Sequence, residues 1–158
     1  MIILDLETTG FSPQKDDILE VSALKVIGFK VVDEFYSLFK PFKTIPSIVS
    51  RKINLSYEDV KEAPQFSDKS RLLFKFMNGH RIIGYNVSFD KRFLIAKDSI
   101  FSCLEYQDYL KYIRKLDYEL PNYKMETVAR YFGVSTKEAH RAKGDTTILF
   151  ELIKRLGI

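Results

Sequence analysis

Four carboxylates and one histidine have the types and spacing that hydrolysis of a charged ester requires. In Leu4-Asp5-Leu6-Glu7, the alternation of a strand sends Asp5 and Glu7 to one face and Leu4 and Leu6 to the other. Two like charges paired at the end of a buried strand are costly unless something positive neutralises them, and a hard divalent cation with oxygen ligands does so. An isolated Asp-x-Glu is also an ordinary solvated strand end. Asp145 heads a helical stripe completed by Ile148, Leu149, Leu152 and Leu156, an acid on a face that otherwise points to the core. Near a helix start a carboxylate also favours the macrodipole without any catalytic role, and Asp90 has the same innocent explanation. His140, between Ala139 and Arg141, stands close enough in sequence to share a pocket with Asp145. Its near-neutral pKa suits it to take a proton from an attacking water.

These side chains need a scaffold, and the hydrophobic pattern supplies one. Residues 2–6 form a short β-rich run that gives way at Thr8, Thr9 and Gly10 to a turn. Residues 18–27 and 30–39 read as two further strands joined by Gly28 and Phe29, so the sheet begins as an antiparallel meander. Pro41 and Pro46 mark the exit from the third strand, and short helices are expected at 47–53 and 56–61. Phe66, Leu72, Leu73, Phe76 and Met77 recur at helical spacing before Asn78 and Gly79 stop the helix. Residues 80–84 read as a fourth strand, and 89–97, 108–116, 124–132 and 143–156 as helices. Strands first and helices later, with mixed connections, imply one α/β domain over residues 1–158, a sheet covered by helices.

The bulk composition narrows the class. Hydrophobic residues make up 46% and charged residues 29%, which argues against a disordered chain. Lys and Arg exceed Asp and Glu by 25 to 21, giving a net charge of +4, compatible with a polyanionic partner. Gathering several acids into one metal pocket would leave the remaining surface more positive than that total suggests. The single cysteine, Cys103, excludes an internal disulfide; within the apolar run 100–104 it is expected as buried filler in a reducing compartment. The N-terminal residues lack the pattern of a signal peptide, and no apolar run approaches the ~20 residues of a membrane helix. A cytoplasmic location without a membrane partner is therefore expected.

Three blocks, Leu4-Asp5-Leu6-Glu7-Thr8-Thr9-Gly10-Phe11, Gly84-Tyr85-Asn86-Val87-Ser88-Phe89-Asp90 and Ala139-His140-Arg141-Ala142-Lys143-Gly144-Asp145, resemble the DnaQ-like family of 3′-5′ exonucleases, in its histidine-containing DEDDh branch. They occur in the family's order, and the similarity extends over nearly the whole chain. The resemblance implies an RNase H-like fold, a mixed five-stranded sheet flanked by helices. It implies that Asp5, Glu7 and Asp145 hold two divalent cations, Mg2+ or Mn2+, that Asp90 supports the second directly or through water, and that His140 is the general base. Main-chain groups around Thr8 and Thr9 would hold the 3′-terminal nucleotide, with Phe11, Tyr85, Asn86 and Phe89 also facing substrate. Tyr85 stands where many relatives have His, which implies tuning of the substrate pocket. Phe11 replaces the more usual Leu or Met, and an aromatic there can stack on a terminal base.

The expected reaction is hydrolysis from the 3′ end of single-stranded DNA, releasing nucleoside 5′-monophosphates. An RNA-trimming or oligoribonucleotide exonuclease is the alternative within the enzymes, and a non-catalytic nucleic-acid or polymerase-binding module the alternative outside them. The family includes proofreading subunits, which makes a DNA polymerase a candidate partner, although Ile158 follows directly on the last helix, which favours a free-standing enzyme or excised domain. Two basic patches are candidate phosphate contacts. For 111–115 a solvated helix face is the better reading, whereas 141–143 gains weight from its proximity to His140.

Overall fold

In the computed structural model, which describes residues 1–158, β1 (Ile2–Thr8), β2 (Ile18–Ile27) and β3 (Lys30–Leu38) form the antiparallel meander. Gly28 and Phe29 both take positive φ, 55° and 57°, the pair of values a two-residue type I′ hairpin needs. Helices α1 (Ser47–Ile53), α2 (Tyr57–Val60) and α3 (Phe66–Met77) lead to β4 (Ile82–Gly84), which lies parallel to β1 on its other edge. Then come α4 (Ser88–Lys97), a 3-10 turn (Ser99–Cys103), β5 (Tyr106–Asp108), α5 (Tyr109–Lys115), α6 (Met125–Tyr131) and α7 (Ala142–Leu156). The sheet order is β3-β2-β1-β4-β5, so the expected mixed five-stranded sheet flanked by helices is present.

The alternation of β1 divides the core in two. Ile2, Leu4 and Leu6 pack with Leu73 and Met77 of α3 and Phe93 and Leu94 of α4. Ile3 packs on the other face with Ile113 of α5, Val128 of α6 and Leu149 and Leu152 of α7. Asp5 and Glu7 continue the Ile3 row past the apolar part of the strand, toward the first turn of α7. A buried hydrogen bond of 2.8 Å between Ser22 of β2 and Thr146 of α7 fixes that turn over the centre of the sheet. Ser22 lies opposite Asp5 in the ladder, so the polar row of the sheet meets the polar end of the helix.

Two local expectations need correction. Residue patterning revealed four strands; the fifth, β5, has three half-buried residues, Tyr106, Gln107 and Asp108, too few for an alternation to show. Its pairing comes from β4 alone. Cys103 is exposed rather than buried, because the 3-10 turn places Phe101 in the core and rotates Cys103 outward, its thiol donating to the Ile100 carbonyl at 3.2 Å.

Candidate active site

Carboxylate oxygens of Asp5, Glu7 and Asp145 lie within 4.8 Å of one another. Asp5 and Glu7 come from β1 and Asp145 from the first turn of α7. Burial and crowding raise the pKa of all three. Asp5 stands well above the usual carboxylate range because of burial first and then the charges of Asp90, Asp145, Glu7 and Glu20. Burial, with Asp145 next, pushes Glu7 up to about 7. Burial raises Asp145 to about 6 against the hydrogen bond from the His140 amide. Oxygen-only donors gathered at this distance suit a hard cation such as Mg2+ or Mn2+, and a cation would remove the repulsion that raises these values.

Asp90 does not join that trio. β4 pairs with β1 only at Ile2 and Ile3, so the amide of Leu6 faces past the end of β4. The Asp90 carboxylate, in the first turn of α4 and 3% exposed, accepts this N–H at 3.1 Å. Burial pushes it up to about 8 even so. Its charge is felt by Asp5, which puts it beside the cluster as an outer member.

The loop before α7 is built tightly around Asp145. His140 has φ 68°, a left-handed value that costs a non-glycine residue energy and persists only where the surroundings hold it. Its amide donates to Asp145 Oδ1 at 3.2 Å, and its imidazole Nε2 lies 3.0 Å from Glu126 Oε1 of α6. Gly144 is required by the same close approach: a Cβ there would collide with the carbonyl of Glu138.

A fully buried acid that patterning did not single out, Glu20 of β2, anchors this loop. It accepts from Arg141 Nε at 2.9 Å and Nη2 at 3.1 Å, from the Tyr36 hydroxyl at 2.8 Å and from the Ala142 amide at 3.2 Å. Arg141 is thus committed to the protein, whereas Lys143 makes only an exposed pair with Glu34 at 3.4 Å. Glu20 sits in an apolar strand run, 121 residues from Arg141, so no local spacing marks it. Glu126 escaped notice for the same reason.

Two adjoining cavities open at the carboxylates. One is lined by Asp5, Glu7, Thr8, Phe11, Phe89 and Asp145, among others. At its mouth Phe11, 88% exposed, meets Phe89 edge to face with ring centroids 6.4 Å apart. Thr9 is turned away from it: its amide donates to the Asp17 carbonyl at 2.9 Å and its hydroxyl accepts from the Asp17 amide at 2.8 Å. The other cavity, about 700 Å³, is lined by Tyr85, Asn86, Arg114, Lys124, His140 and Asp145, among others. The Tyr85 hydroxyl donates to the Tyr123 carbonyl at 2.6 Å, and Asn86, with φ 63°, donates its amide to Asp108 at 3.0 Å. Lys52 of α1 lines both cavities and counteracts the upward shifts of Glu7 and Asp145.

A family model described as Exonuclease matches residues 2–153. The DNA polymerase III PolC-type proteins of Caldanaerobacter subterraneus and Thermotoga maritima are 29% and 28% identical, over 98% and 99% of this chain. The chain spans only 11% and 12% of their lengths. Among solved structures, E. coli exonuclease I in complex with a dT13 oligonucleotide aligns with a TM-score of 0.86 at 17% identity, covering 98% of this chain and 40% of that one. Exonuclease X in complex with 5′ overhanging duplex DNA aligns with a TM-score of 0.75 at 20% identity, covering 99% of this chain and 93% of that one. At these identities the structural likeness speaks for the fold, which is the RNase H-like one.

Proposed function

The chain belongs to the exonuclease family, and from that premise we propose that it hydrolyses nucleic acid from the 3′ end, single-stranded DNA by preference, releasing nucleoside 5′-monophosphates. The observation that carries this reading is the convergence of Asp5, Glu7 and Asp145 within 4.8 Å beside His140. DNA is preferred over RNA because the relatives at 29% and 28% identity are DNA polymerase III proteins. Residues 1–158 act in this reading as one exonuclease domain, with a DNA polymerase as a partner.

Asp5, Glu7 and Asp145 would hold two divalent cations, with Asp90 supporting the second directly or through water. Bound there, Mg2+ or Mn2+ supplies Lewis acidity and neutralises charge on the phosphate as it is attacked. The protein's own groups do the rest. His140 takes the proton from the attacking water. The contact of its Nε2 with the Glu126 carboxylate leaves Nδ1 as the nitrogen with a free lone pair and holds the ring in place. The cavity wall at Thr8, with Phe11 and Phe89 at its mouth, receives the terminal nucleotide, the exposed Phe11 ring stacking on its base. Tyr85 and Asn86 line the path of the preceding nucleotide.

The test is degradation of 5′-labelled single-stranded DNA and its RNA counterpart with Mg2+, Mn2+ or EDTA. A ladder shortening from the 3′ end with DNA, abolished by EDTA and by Asp5→Ala, is the expected result. Faster cleavage of RNA would shift the substrate class, and binding of DNA without cleavage in any metal would identify a non-catalytic module.

A further inference from the structure

Outside the carboxylate site, a cavity of about 400 Å³ lies between the first turn of α4 and the outer face of α5. Lys91, Lys111 and Lys115 line it, together with Tyr106 and Tyr112. Its single acid, Asp108, already accepts the amides of Asn86 and Leu110, each at 3.0 Å. None of the three lysines forms an ion pair with a protein carboxylate. Lys111 and Lys115 are one turn apart on the same helix face, where like charges repel. Lys91 sits over the Tyr106 ring at 5.2 Å from its centroid. Three cations against the single carboxylate of Asp108 leave the concavity net positive, and with its aromatic wall this suits a polyanion.

The position of this cavity identifies the polyanion. Residues 86–88 and α5 form a shared wall: Asn86, Leu110 and Arg114 face the cavity that holds His140 and Asp145, whereas Val87, Ser88, Lys111 and Lys115 face the outer one. A strand leaving the first cavity across this wall meets Arg114 on one side of α5 and the lysines on the other.

We propose that the outer cavity is a second nucleic-acid site, in which Lys91, Lys111 and Lys115 hold phosphates of a single strand upstream of its 3′ end. The polarity of the strand rests on the exonuclease reading; the binding itself does not. The site adds affinity for long strands without touching the hydrolysed bond, so it acts on KM and leaves kcat alone.

The experiment compares the wild type, Lys111→Ala/Lys115→Ala, and a control of equal charge, Lys61→Ala/Lys154→Ala, whose lysines pair with Glu58 and Glu151 on other surfaces. Binding of a fluorescent 20-nucleotide strand in EDTA is measured over a salt series, and turnover with Mg2+ on that strand and on the p-nitrophenyl ester of thymidine 5′-monophosphate. The cavity variant should bind the strand roughly tenfold more weakly, with the slope of log affinity against log salt reduced by about 1.4 for two lost contacts. The control should match the wild type, and ester turnover should be the same in all three. Equal strand binding in all three proteins, or an equal loss in the control, would overturn the proposal. Lysine-dependent binding in a protein that hydrolyses neither substrate would uphold the site and sink the exonuclease reading instead.

Discussion

Glu7 and Glu20 face one another across the β1–β2 ladder, yet they live in opposite electrostatic worlds. Glu20 is fully buried and accepts four hydrogen bonds, two of them from one guanidinium. Glu7 shares its space with Asp5 and Asp145 and is pushed up to about 7, by burial before anything else. The contrast separates an acid that builds the site from one that serves it. The protein satisfies a structural carboxylate with its own donors. The crowded charges of Asp5, Glu7 and Asp145 have no such set of donors, at a cost to the stability of the fold, and in the proposed reading a cation neutralises them.

The largest expected effect breaks the serving side. Asp5→Asn keeps the volume and removes a charge, so Mg2+-dependent cleavage should fall by about 1000-fold or more, the loss of several kcal/mol of transition-state stabilisation. The same substitution should raise the stability of the protein in EDTA at pH 8, because it removes a carboxylate disfavoured by burial first and then by the charges of Asp90, Asp145 and Glu7. Activity and denaturant midpoint moving in opposite directions is the signature; a less stable Asp5→Asn protein would contradict it.

Breaking the building side should look different. Glu20→Ala leaves the half-buried Arg141 guanidinium, the Tyr36 hydroxyl and the Ala142 amide without their acceptor. The expected cost is about 3 kcal/mol in urea denaturation. Because the lost contacts hold the loop that carries His140, kcat should fall more than KM rises in the fraction that remains folded. Unchanged stability would show that the clamp does not anchor the loop.

A further test of the same contrast is read from pH. In the unfolded chain Glu7 releases its proton near its ordinary 4.5, and in the folded protein only at about 7; Asp145 shifts from 3.8 to about 6. Between those limits the folded state binds more protons, and Asp90, pushed up to about 8, and Asp5, raised well above the usual range, extend the effect, so stability in EDTA should fall as pH rises from about 4 to at least 8. Saturating Mg2+ should flatten or reverse that slope by favouring the ionised, folded form. A profile identical with and without Mg2+ would mean that the cluster does not bind the ion.

Much of the design was legible in one dimension because it rests on local periodicity. The alternation in Leu4-Asp5-Leu6-Glu7 placed Asp5 and Glu7 together, and the helical stripe ending at Leu156 placed Asp145 toward the sheet. What escaped depends on residues distant in sequence: β5 is a strand only because β4 pairs with it, Glu20 is a clamp only because Arg141 arrives from 121 residues away, and Glu126 orients His140 only across two helices' packing. The surroundings of the two basic patches were hidden for the same reason. Arg141 was drawn into the fold, while Lys111 and Lys115 were joined by Lys91 from another helix around one cavity.

The sequence by itself determined the carboxylates, the strands and helices that carry them and the family to which the chain belongs, since motif order and hydrophobic period are properties of the chain. Only the tertiary structure decided which acids crowd together and which are satisfied by the protein's own donors, which lysines gather around one cavity and which threonine turns from the pocket. A side chain's charge is written in the sequence; its partner, and hence what that charge can still do, is set by which distant groups folding brings within about 3 Å.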